Sequence, residues 1–195
     1  MLVSRFKDLT GVAAVFALLV GSGALAYATW SRPLLIGDAA LTANDVEGAL
    51  AAYARAEGRF RWLPIAQHIL PRDYERAVYN QLALLYQRGD YDAVIAKGEA
   101  APAGAAPRFW TGCALFSLAA TEGKPEARLV WLTRAEGEFK QALEAAPDDW
   151  DAKYNYEITA RVAAQLRTKP PEEAETLMQL LRPQQKQLKP VRKSG

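Results

Sequence analysis

Chemically reactive side chains are scarce in this chain. Of its 195 residues, one is cysteine (Cys113) and one is histidine (His68). A single cysteine closes no internal disulfide, and a zinc site needs several Cys or His ligands at short spacing. A histidine-based triad needs a nucleophile and an orienting acid around the imidazole. His68 instead sits in the apolar stretch "PIAQHILP", which reads as a structural position. The expectation is a non-enzyme with no cofactor and no metal. Charge of one sign is also missing: Lys+Arg 24 against Asp+Glu 22 leaves a net charge of +2. That balance excludes the broad basic surface a nucleic-acid binder uses.

What the chain does have is apolar length. From Leu9 to Ser31, "LTGVAAVFALLVGSGALAYATWS", there is no charged residue. As a helix rising about 1.5 Å per residue, 9–31 spans roughly 34 Å, enough for a hydrocarbon core of about 30 Å. Arg5 and Lys7 precede the run and Arg32 follows it. The positive-inside rule then puts residues 1–8 in the cytoplasm and the remainder outside. The small-residue triplets "ALA" (24–26) and "AYA" (26–28) also permit a cleaved signal peptide. Full spanning length favours a single-pass anchor, and both readings export residues 32–195.

Residues 33–167 read as helix after helix, and the fold class is all-α. Ala49, Tyr53 and Ala56 repeat the spacing of Ala135, Phe139 and Ala142. Each set puts small and aromatic residues on one helical face, where a neighbouring helix approaches closely. Gly89 suits a left-handed C-terminal cap, and Asp90 starts the next helix. "AVYNQLALLYQRGDYDAVI" (77–95) resembles a tetratricopeptide (TPR) repeat, "NDVEGALAAYARAE" the second helix of another, and "QALEAAPDDWDAKYNYE" the join between two. The resemblance implies an irregular TPR-like α-solenoid. Its Gly-Asp-Tyr and Asn-Asp-Val turns lie 45 residues apart, longer than the family's repeat, and "RFRWLPIAQHIL" (59–70) accounts for the excess. "RFRWLP" (59–64) mixes arginine with aromatics and could pack against a membrane face or a partner, but packing of the insertion onto the repeats is the preferred expectation. Leu82 and Glu157 stand where the repeat has a small residue, a position Cys113 fits better.

In that family the first helix of each pair lines a concave groove. Carried over, the partner-binding candidates are Arg76, Tyr79, Asn80, Tyr86, Trp110, Asp151, Tyr154, Asn155 and Arg161. The alternative is that Tyr79, Tyr86, Trp110 and Tyr154 are core residues, and for each taken alone the core reading is slightly preferred.

"PDDWDAKYNYE" (147–157) crowds three aspartates among aromatics. A calcium loop needs a glycine at its sharp turn and a distal bidentate glutamate. The stretch has no glycine, so it reads as a helix start with Asp148 as the cap. With the residues that follow it, through Arg167, it also resembles the MxaK family of bacterial methanol-oxidation gene clusters, with Tyr154, Asn155, Tyr156 and Glu157 in the matching segment. That resemblance implies a bacterial inner-membrane anchor, a periplasmic repeat domain, and an accessory role in maturing a calcium-dependent methanol dehydrogenase. The implied partners are a von Willebrand A-type protein and an AAA ATPase. The alternative is a generic cell-envelope adaptor or structural protein. Beyond Arg167, 168–181 reads as a linker and short helix, and 182–195 as a basic disordered tail.

Overall fold

Abundant alanine and few β-branched runs give helices throughout the computed structural model, which describes residues 2–168, with side chains from Val15. The helices are α1 (Leu2–Thr42), α2 (Val46–Trp62), α3 (Ile65–Ile69), α4 (Pro71–Arg88), α5 (Tyr91–Ala100), α6 (Ala105–Thr121), α7 (Pro125–Ala145) and α8 (Trp150–Thr168). No strand occurs among the described residues. The expected linker, short helix and basic tail at 169–195 lie outside them. Two compact units divide the chain, one ending at Ala77 and one beginning at Val78, so the boundary falls within α4.

The expected single-pass anchor is corrected here. No helix among the described residues is long and apolar enough to cross a membrane. The described apolar stretch is diluted by Gly21, Ser22, Gly23, Thr29 and Ser31 before Arg32. Nor does the helix end at Ser31: α1 runs on through Asp38 to Thr42. Its last third, with Ser31 and Leu34 buried, is the first building element of the helical domain, folded against α2. The inner-membrane, periplasm-facing placement falls with the anchor.

In the first unit, α1 turns into α2 through a Schellman-type cap. Asn44 takes a left-handed φ of 59°. The Asp45 amide donates to the Ala40 carbonyl at 2.8 Å and the Asn44 amide to Leu41 at 3.0 Å. Asp45 then caps α2 by accepting from the Gly48 amide at 2.9 Å. Ala49, Tyr53 and Ala56 are all buried. Tyr53 fits because α1 offers Gly37 opposite it: a Cβ there would come within 2.7 Å of the tyrosine ring. The Tyr53 hydroxyl donates to Asp38 at 2.7 Å.

Pro33 sits inside α1. A helical proline lacks the amide that would bond the carbonyl four residues earlier, here that of Thr29. Arg59 of α2 supplies a donor in its place, bonding the Thr29 carbonyl and also, at 2.8 Å, that of Trp30. The two neighbours thus tie α1 to α2 where the ladder is broken. Below this tie, Phe60 is buried between Trp30, edge-on at 5.6 Å, and Tyr74 at 5.4 Å.

The second unit repeats the same local chemistry. Gly89 has a φ of 80°. The Asp90 amide donates to Leu85 at 3.0 Å and the Gly89 amide to Tyr86 at 2.9 Å. Asp90 caps α5 through the Ala93 amide. The two turns 45 residues apart in sequence are therefore geometric equivalents. Here α5 packs on α6, α6 on α7, α7 on α8, and α6 also on α8. One core joins Leu115, Ala135 and Phe139, and a second joins Ala119, Ala120, Leu132, Val162 and Ala163. Gly112, not Cys113, is the small residue the packing demands: a Cβ on it would lie 2.8 Å from the Phe139 ring.

In the pair α4 and α5, sizes are exchanged. Leu82 and Val94 stand twelve apart, as Gly37 and Ala49 do, and both are buried. Gly98 occupies the place of Tyr53 in this spacing, close to the Thr111 hydroxyl. A bulky residue on the first helix replaces the aromatic of the second.

Candidate functional site

The α4 helix carries four of the nine candidates, in both units. Arg76, in the first unit, is exposed and forms an ion pair with Asp38 of α1. Half-buried Tyr79 and Asn80 follow in the second. The Tyr79 hydroxyl lies against Gly104, within 2.8 Å of where a Cβ would stand there.

Tyr86 is held on three sides. Its ring stands 5.5 Å from Tyr91 and 5.4 Å from Trp110, and its hydroxyl is 3.2 Å from the Ser117 hydroxyl. Burial is the main reason its pKa is raised, with the Ser117 bond acting in the opposite sense. Trp110 continues the chain of rings to Phe109 at 5.3 Å, which meets Phe139 at 6.0 Å. Such edge-on and tilted pairs fix orientation, each worth about 1 kcal/mol beyond burial. Tyr86 and Trp110 are thus joints between α4 and α6, each with part of its surface still accessible.

The α8 helix begins one residue later than expected. Asp149, not Asp148, is its cap, accepting from the amides of Asp151 at 3.0 Å and Ala152 at 3.1 Å. The turn Asp149 amide to Ala146 carbonyl, 3.1 Å, consumes the Pro147–Asp148 pair and pushes Asp148 outward. Asp151 is exposed at the positive end of the helix. It lies near enough to Cys113 of α6 to help burial push that thiol up to about 12. Asn155 donates back to the Asp151 carbonyl at 2.7 Å, a local bond within α8.

Tyr154 is 65 % exposed and Trp150 76 %, with the Lys153 ammonium 4.9 Å from the indole centre. Arg161, two turns on, is also exposed. It is Tyr156, two residues from Tyr154, that packs on the Phe139 core. Periodicity alone placed both tyrosines on one helix, and only the contacts show which turns inward.

Two arginines escaped sequence reading. Arg128 of α7 is buried, and its guanidinium caps α6 by donating from Nε to the Glu122 carbonyl at 3.0 Å. Arg108 of α6 meets Glu138 of α7 at 3.1 Å. The Lys124 amide donates to the exposed Glu122 carboxylate at 3.0 Å and lowers its pKa. No pattern of spacing marks Arg128, because its partner is a backbone carbonyl at a helix end.

Within the second unit, then, some candidates from different helices come together. Tyr86 of α4 meets Trp110 of α6, and Asp151 of α8 lies near enough to Cys113 of α6 to act on its thiol. Tyr79 lies against Gly104 and Asn80 is half-buried on α4, while Tyr154 and Arg161 are exposed on α8. The arrangement offers ring edges, an amide, a carboxylate and a guanidinium, the repertoire of a recognition surface. No three His, Cys, Asp or Glu side chains among the described residues are grouped to hold a metal ion. Comparison of the chain with family models, with curated proteins and with solved structures finds no match.

Proposed function

We propose that this chain is a non-catalytic protein–protein interaction scaffold built from irregular TPR-like helix pairs. It holds an extended or helical segment of its partner along α4, α6 and α8. The observation that carries the reading is the direct succession of those helices, Tyr86 on Trp110 and α6 on α8, since a solenoid groove needs consecutive first helices side by side. The equivalent caps at Asn44–Asp45 and Gly89–Asp90 support repeated hairpins, as do the glycine–aromatic pairs Gly37–Tyr53 and Gly112–Phe139.

The resemblance at 147–167 directs the search for a partner. On that reading, the segment bound belongs to the maturation apparatus of a calcium-dependent methanol dehydrogenase. The scaffold acts by raising the local concentration of the von Willebrand A-type protein or AAA ATPase. The test is affinity purification of the tagged full-length chain from methanol-grown and control cells, with mass spectrometry of the eluate. Recovery of the dehydrogenase, the von Willebrand A-type protein or the ATPase supports the assignment. Recovery of unrelated proteins alone overturns the methanol-oxidation reading and leaves a general adaptor.

A further inference from the structure

The 59–70 insertion does not pack onto the helices as a whole. Phe60 and Ala66 are buried, yet Trp62 is 80 % exposed and Ile69 68 %, with Leu63 and Ile65 also exposed. Folded proteins seldom gather four large apolar side chains on so short an exposed segment without a use for them. They are held rather than loose: Gln67 donates to the Phe60 carbonyl at 3.1 Å, and the Leu70 amide closes α3 on Ala66 at 2.8 Å.

Between this segment and α1 runs a groove of about 290 Å³ lined by Tyr27, Trp30, Leu63, Ile65, Ile69 and Leu70. Its walls are almost wholly apolar. The Trp30 indole N–H is buried and finds no hydrogen-bond partner. At the other wall, the Tyr27 hydroxyl donates to Asp73 at 3.2 Å. The apolar surface continues along α1, where Leu18, Leu19 and Leu25 are all exposed.

Apart from Asp73 at the Tyr27 wall, the charge the insertion brings to it is positive. From Arg59 to Arg72 the chain carries Arg59, Arg61, His68 and Arg72 and no aspartate or glutamate. Arg59 is spent on the α1 carbonyls, while Arg61 and Arg72 are exposed. A polypeptide occupant would bring polar side chains for which the groove offers little beyond one indole N–H. An acyl layer brings none, and its anionic headgroups would meet the arginines at the rim. Tryptophan beside arginine at the edge of an apolar surface is the chemistry of the lipid–water boundary.

We propose that the 59–72 segment and the adjoining face of α1 form a docking surface for an anionic lipid layer, on which the chain lies without crossing it. Trp62, Ile65 and Ile69 enter the acyl boundary, and Arg61 and Arg72 meet phosphate oxygens. This is independent of the partner-binding reading, which uses other residues.

The test uses the full-length chain carrying Cys113→Ala and Ile65→Cys, labelled at residue 65 with an environment-sensitive fluorophore. Circular dichroism establishes that the labelled chain keeps its helices. Flotation is not the readout, because the apolar start of α1 can carry the chain to vesicles by itself. With phosphatidylcholine vesicles holding about 30 % phosphatidylglycerol, the expected result is a blue shift and shielding from iodide. Replacing Arg61 or Arg72 by glutamine weakens that response about fivefold each, the effect of one cation at an anionic surface. A label that stays open to iodide on vesicle-bound protein overturns the proposal. So does an equal response to pure phosphatidylcholine. A blue shift without vesicles that rises with protein concentration overturns it in favour of a second copy on this face.

Discussion

Arg59 shows how much one side chain can decide. It mends the carbonyl that Pro33 leaves without a donor and so allows a proline in a helix that continues to Thr42. Arg59→Met keeps the packing of the stem and removes the donors. It is expected to cost about 0.5–1.5 kcal/mol, the net worth of a hydrogen bond whose exposed carbonyl stays within reach of water, measured by urea denaturation. An unchanged midpoint would mean water serves the Thr29 carbonyl equally well.

Cys113 gives a pH dependence of definite sign. Its thiol is pushed up to about 12 from 9.0, first by burial and then by Asp151. The folded state therefore resists forming the thiolate. Its stability is complete below the unfolded value and falls as pH rises from about 9 towards 12. Two measurements check this: alkylation at pH 8 should be far slower folded than in urea, and Cys113→Ala should lessen the loss of stability above pH 9. Fast alkylation of the folded chain refutes the shift.

At the scale of the element, a helix pair is set by one large and one small residue. Tyr53 needs Gly37, and Phe139 needs Gly112. Gly112→Val would drive carbon into the Phe139 ring, which is itself fully buried. Helix propensity changes by only a few tenths of a kcal/mol here, since valine restores part of what glycine lacks. Overpacking of about 1–3 kcal/mol outweighs it, so a lower denaturation midpoint is expected. Gly137→Ala is the control, because its Cβ meets nothing within 4 Å. That substitution should be neutral or stabilising by up to about 1 kcal/mol.

The hairpin caps were legible at this scale because Asn-Asp and Gly-Asp state their own backbone chemistry. Asp148 was misread for the opposite reason. Both Asp148 and Asp149 suit a cap, and the choice fell to where the Ala146 carbonyl could receive an amide. The size pattern pointed to Cys113 as the small residue, whereas Phe139 packs opposite its neighbour Gly112.

For the whole molecule, the proposed scaffold makes the surface residues of α8 and the accessible edge of Trp110 separable from stability. Tyr154→Ala removes an exposed ring, so it should weaken partner recovery in the affinity experiment while the denaturation midpoint moves by less than about 0.5 kcal/mol. Tyr86→Phe keeps the rings at Tyr91 and Trp110 and loses only the Ser117 contact, which serves as the matched internal substitution. Unaltered recovery with Tyr154→Ala would remove α8 from the binding surface.

The sequence by itself determined that this chain is helical, where two of its hairpins turn, and that Ala49, Tyr53 and Ala56, like Ala135, Phe139 and Ala142, face inward. Those features follow from local rules: period, cap chemistry and propensity act within a few residues. Only the tertiary structure decided that the apolar N-terminal run continues into the folded domain, that Tyr156 turns inward and Tyr154 outward, and that Trp62 stays uncovered. Each of those depends on a surface brought from elsewhere in the chain, such as α2 against the end of α1 or the Phe139 core against α8. No window of sequence contains both sides of such a contact, so its outcome is fixed only when the helices meet.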